Sequence, residues 1–196
     1  MMKYKVILIL VIAFAKANFT IAQEKINFKS EQEERVAIED FPKNARSLII
    51  SLNKAGKKVR YYIETDGALI TYEAKFKLNG QKYSVECDED GSIIDIEVRL
   101  KKRVVRSDTF SVIILKINKI SERFKVEKIQ KQFVITDQNY STISKRLEND
   151  EFDNYEMIVA FKENHKIYRK ELLFSKNGVL LKQRDVKKLK YDFILF

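Results

Sequence analysis

One histidine and one cysteine, His165 and Cys87, are the side chains from which this chain could most readily build a base and a nucleophile near neutral pH. His165 sits in KENHK, a stretch with the composition of a hairpin tip. Cys87 alternates with Tyr83 and Val85 along a strand-like run, where a small buried hydrophobe is expected. Neither a G-x-S-x-G nucleophile elbow nor an H-E-x-x-H zinc string occurs. The acidic run ECDEDGSIID invites a calcium reading. An EF-hand loop, however, lies between helices and needs alternating oxygen ligands with glycine sixth and glutamate twelfth, whereas Glu86, Asp88 and Asp90 lead into a Gly91 turn between strands. Glu73 and Glu156, each following a tyrosine, could act as an acid–base pair only at about 5–10 Å, which equivalent places in separate segments do not provide. The expectation is a protein without catalytic residues, cofactor or metal.

The elements that would carry these residues begin after a leader. Residues 1–22 hold no acid; Lys3 and Lys5 precede an apolar run from Val6 to Ala15, and Thr20-Ile21-Ala22 presents small residues for cleavage between Ala22 and Gln23. Ten apolar residues are too few to span a bilayer core of about 30 Å, so an exported, periplasmic protein without a transmembrane segment in its mature part is expected. No long C-terminal sorting region follows, which favours the periplasm over secretion. Removing the 22 residues leaves 174 of 196 and lowers the formal charge from +10 to +7, because Lys3, Lys5 and Lys16 are lost. With 45% hydrophobic residues and a single cysteine, packing rather than disulfides must hold the fold.

Periodicity then gives one pattern twice. After Pro42, the residues Ala45, Leu48, Ile49 and Leu52 recur at helical spacing. Four period-two runs follow: Val59 to Ile63, Tyr72 to Leu78, Tyr83 to Cys87, and Ile94 to Leu100. Asp66-Gly67, Asn79-Gly80 and Asp90-Gly91 separate them and suit tight hairpins. From Ser107-Asp108 a second helix carries Phe110, Ile113, Ile114, Ile117 and Phe124, with strands expected near 125–136, 154–163, 166–175 and 178–186. YEAKFKLNGQKYSVECDEDG and YEMIVAFKENHKIYRKELLFSKNG occupy corresponding places in the two copies. The expected class is α+β: two tandem helix-plus-four-stranded antiparallel meanders, helices on one face of the sheet or sheets and the other face open. The expected organisation is a linker at 23–33, a first unit at 34–102, a second at 103–187 with a polar insertion at 137–153, and an apolar tail at 188–196.

DFPKNA, the long YEAKF strand pair, SIIDIE and KIQKQF together resemble the PepSY-like proteins, also called the β-lactamase-inhibitor-like family, over roughly residues 34–186. The resemblance implies an exported bacterial protein of tandem α-then-β units. It also implies a binding role, since the inhibitor that gives the family its name grips an enzyme with a concave sheet face and PepSY domains are linked to restraining peptidases. Cys87 in place of a larger hydrophobe, SKNG in place of DEDG, and the 137–153 insertion depart from the pattern.

Two surfaces stand out. The open face would carry Tyr62, Glu73, Lys75, Glu86, Glu97 and Arg99, mixed charges suited to an envelope or periplasmic protein partner and to inhibition or regulation of an envelope enzyme. Alternatively, Lys101, Lys102, Arg103, Lys187, Lys188 and Lys190, just beyond the last strand of each copy, would bind acidic polysaccharide or lipid phosphate. Export, interspersed acids and the lack of an aromatic platform speak against nucleic acid.

Overall fold

The computed structural model describes residues 28–53, 58–101 and 107–186. The leader, the Ala22/Gln23 junction and the 188–196 tail lie outside these residues, as do Lys102, Arg103, Lys187, Lys188 and Lys190. Among the described residues, no helix is long and apolar enough to cross a membrane.

The chain is α+β, built on one ten-stranded sheet. Strands β1 (Phe28–Lys29) and β2 (Gln32–Val36) come first, followed by helix α1 (Lys43–Leu52). Then come β3 (Arg60–Asp66), β4 (Leu69–Leu78), β5 (Gln81–Cys87) and β6 (Ile93–Arg99). Helix α2 (Ser107–Ile120) leads to β7 (Phe124–Val134), α3 (Tyr140–Glu148), β8 (Asn154–Glu163), β9 (Lys166–Ser175) and β10 (Leu180–Val186). Spatial order is β1-β10-β9-β8-β7-β6-β5-β4-β3-β2, antiparallel except where β1 meets β10. Asn79 and Gly80, with φ of 50° and 78°, close β4 onto β5 as the sequence expects. Asn164 and His165, at 45° and 62°, do the same for β8 and β9, so His165 is an exposed turn residue.

One face of the sheet is apolar and carries the helices. Ala45, Leu48 and Ile49 of α1 pack with Tyr61, Ala74, Phe76, Val85, Cys87 and Ile96, while Ile113 and Ile117 of α2 pack with Ile129, Met157, Val159, Phe161, Leu172 and Phe174. Phe152 touches both clusters and joins them. The 137–153 segment, expected as a polar insertion, contains α3. Asn139 caps it by accepting from Ser141 N at 2.9 Å, Ile143 is buried in the first cluster, and the Tyr140 hydroxyl donates to Ser51 O in α1 at 3.2 Å. One apolar residue per turn sufficed to dock it, too sparse a signal to stand out in a polar sequence.

Residues 28–33 belong largely to β1 and β2 rather than to a linker. Only Ser30 and Glu31 separate these strands, yet β1 lies beside β10 and β2 beside β3, which are seven places apart in the sheet. The sheet therefore curls until its two edges approach. Ser30 N donates to Asp66 Oδ1 at 3.1 Å, and Arg184 of β10 reaches Asp66 of β3 at 3.1 Å across the seam. The polar face is turned inward.

Candidate functional site

Alternation along β3 to β6 sends Tyr62, Glu64, Glu73, Lys75, Ser84, Glu86, Asp95, Glu97 and Arg99 to the face opposite the helices. The structure thus brings together all six residues expected on that face, but the face is not open. Tyr62 and Glu73 are 6% and 8% exposed, and Lys75, Glu86, Glu97 and Arg99 are half-buried. Curvature is the reason: the same face receives Glu156 from β8, Glu171 from β9, Lys128 and Gln130 from β7, and Lys29 from β1.

Register arranges these side chains in rows across the strands. One row is acidic, with Glu73 opposite Glu86 and Glu86 opposite Asp95. The next is mixed, running Arg60, Lys75, Ser84, Glu97 and Gln132. The third is basic: Lys77 lies opposite Lys82, and Arg99 follows beyond Val98, the partner of Tyr83. Like charges directly opposed on neighbouring strands are destabilising, and the ionisation states show how the interior responds. Burial, then the charge of Glu86, raises Asp95 to about 8, although Gln132 Nε2 donates to it at 2.7 Å. Burial and the nearby Glu156 hold Glu97 well above the carboxylate range, and Gln130 hydrogen-bonds to it.

Two cationic hubs offset the acids. Lys75 Nζ lies 2.5 Å from Glu73, 2.6 Å from Glu33 and 4.0 Å from Glu64. Burial works against the lysine's charge, but these three carboxylates outweigh it and raise its pKa. Burial likewise opposes the charge of Glu73, yet hydrogen bonding from Glu64, the Lys75 ammonium and the Ser84 hydroxyl bring it down to about 2. Glu64 is pushed up by burial and by the neighbouring Glu73. Oxygens of Glu33, Glu64 and Glu73 lie within 4.8 Å of one another, the spacing of a cation site. The Lys75 ammonium already supplies a positive charge among them.

The second hub closes the seam. Arg184 contacts Glu171 at 2.6 Å and Asp66 at 3.1 Å, and Lys29 contacts Glu171 at 2.5 Å and Glu31 at 2.9 Å. Burial opposes ionisation of Glu171, but Lys29 and Arg184 hold its carboxyl below its usual value. Lys29, Glu31 and Glu33 were not found from sequence because KSEQEERV has no apolar face to register an alternation. Glu156 was visible as the residue following Tyr155, equivalent to Glu73 after Tyr72. Cys87 is fully buried and its thiol is pushed up to about 12, chiefly by burial, which leaves it unreactive. Of the basic residues beyond the strands, Lys101 is described, and it is exposed.

No protein-family model matches the chain, and comparison with curated proteins finds no match either. Solved structures resemble it in fold. A DUF2874 family protein from Bacteroides ovatus superposes with a TM-score of 0.53 at 15% identity, covering 79% of this chain and 93% of its own. Another DUF2874 protein, from Bacteroides uniformis, gives 0.50 at 12% identity, covering 74% and 88%. A BLIP-like protein from Bacteroides fragilis gives 0.49 at 14% identity, covering 77% and 90%. At such identities the two DUF2874 structures show a likeness of fold alone.

Proposed function

We propose that this chain is a non-catalytic, exported binding module of the bacterial envelope, residing in the periplasm, that takes hold of a partner protein through the charged face of its curled sheet and so regulates or inhibits it. The observation that carries this reading is the arrangement of charge in rows. Opposed acids and opposed bases disfavour the sheet they sit in, and apolar residues of similar volume would serve stability as well or better. At the reachable end of that face, the exposed Lys77 and the half-buried Lys82 and Arg99 are accounted for by contact with a charged surface. The leader composition supports export. Cys87, buried and held protonated, and His165, alone on a turn, support a role without catalysis.

The reading includes two related units of the PepSY-like kind, one per helix and the four strands after it. Gly91, between β5 and β6, seats against Pro42, Asn44 and Ala45 at the start of α1, and Gly178, between β9 and β10, seats against Val112 and Ile113 of α2. Both glycines have φ near 80° and lack room for a Cβ without a shift in the helix beside them. This correspondence supports descent of both halves from one pattern.

A photo-crosslinking residue at Lys77, at one end of the charged face, tests the function against the same residue at Ile50, exposed on the outer side of α1. The reading expects an envelope protein captured in cells from Lys77 and not from Ile50. Equal capture from both, or none from Lys77, would overturn it.

A further inference from the structure

The basic row has a chemistry of its own, and its interpretation rests on the binding-module reading above. Lys77 and Lys82 are directly opposed across β4 and β5, and the same register sets Arg99 of β6 next in line. Arg60 flanks the row, since it pairs with Lys75, two residues before Lys77 on β4. Lys77 is exposed, and Lys82, Arg99 and Arg60 are half-buried. Lys82 is held below its usual ammonium value by burial and by Arg99, Lys77 and Arg60, and Arg99 is lowered by burial. Arg99 donates to a neutral acceptor, Glu127 O at 3.4 Å. The nearest acid along its strand, Glu97, has its ionisation opposed by burial and by Glu156 and accepts from Gln130, and the neighbouring Lys75 is engaged by Glu73 and Glu33. Positive charge is thus gathered at the end of β3 to β6 away from the Asp66–Arg184 seam.

We infer that the Lys77, Lys82 and Arg99 row is the docking site for an acidic peptide segment of the partner protein. Three cations in adjacent register positions favour an anionic ligand. The site lies on the inward-curving face and spans two strand spacings, about 10 Å. A single extended segment of about three residues matches that width, whereas a flat bilayer meets an outward patch better.

The test is fluorescence anisotropy of a rhodamine-labelled hexaglutamate peptide with the full mature chain at low salt, with inorganic phosphate and phosphatidylglycerol vesicles as competitors. Binding is expected to weaken at least tenfold in the Lys77→Gln/Lys82→Gln variant, to fall steeply with salt, and to remain unchanged in Lys166→Gln, an exposed lysine at the start of β9. Lys77→Gln alone, at an exposed position, is expected to weaken it measurably and guards against misfolding of the double variant. No peptide binding, binding unaltered in both variants, or displacement by phosphate or vesicles at charge concentrations equal to the peptide's would overturn the inference. Capture from Lys77 in cells combined with a negative peptide titration defeats the acidic-peptide inference alone. Lack of capture defeats the module reading itself.

Discussion

The two faces of the sheet solve the same burial problem by opposite means. The face under the helices excludes water with side chains such as Phe161, Phe174, Ile117 and Ile96, each fully buried. The other face removes Glu73, Asp95, Glu156 and Glu171 from water nearly as completely, at 6–9% exposure; it pairs Glu73 with Lys75, Glu156 with Lys128 and Glu171 with Lys29 and Arg184, and gives Asp95 a hydrogen bond from Gln132. Apolar contacts are non-directional and stabilise whatever packs. Buried ion pairs barely offset their own desolvation but penalise every arrangement that leaves one charge alone. The apolar face therefore supplies stability, and the charged face dictates how far the sheet curls and which edges meet.

That division can be broken at graded points. Phe161→Ala on the apolar face should have the largest effect, a loss of about 3–5 kcal/mol read from the urea midpoint. A loss under 1 kcal/mol would mean the core does not carry the fold. On the charged face, Arg184→Ala should lower stability by about 2–3 kcal/mol, because Glu171 keeps its burial while losing a partner. The double change Arg184→Met/Glu171→Leu should recover most of that loss, and no recovery would show that the pair stabilises in its own right.

A pH profile sharpens the comparison further. Glu73, at about 2, contributes stability that is fully present above its unfolded value near 4.5 and is lost as pH falls from there through about 2. Asp95 has the opposite sign. Its folded value of about 8 favours the protonated native state, an advantage complete below its unfolded value of 3.8 and eroded as pH rises to about 8. Asp95→Asn, which mimics the protonated acid, should flatten the melting profile between pH 4 and 8 and raise the melting temperature at pH 8 by about 2–6 °C. An unchanged slope would remove Asp95 from the account. The smallest effect is expected at the β8–β9 turn, where His165→Asn tolerates the same positive φ and should change stability by less than about 0.5 kcal/mol.

The helices and hairpins were legible in the sequence because they depend on local periods and turn residues: Ala45 and Ile49 at helical spacing, Asn79-Gly80 at a reversal. The side to which Glu73 and Arg99 point was legible for the same reason. Curvature was not. Period two assigns a face but carries no information about whether that face lies flat or turns inward, and the residues that seal the seam are far apart in sequence. Lys29 and Glu171 are separated by 142 positions, Asp66 and Arg184 by 118. A polar N-terminal stretch read as a linker turned out to hold both edges of the sheet.

The curl itself is open to direct measurement by dipolar EPR between spin labels at Thr65 on β3 and Asp185 on β10. Strand pairing to β2 and β1, joined through Ser30 and Glu31, predicts backbones within about 20 Å of each other. A flat sheet, with seven strand spacings between β10 and β3, would place them about 34 Å apart or more, and a distance distribution centred there would contradict the inward-turned face on which the account depends.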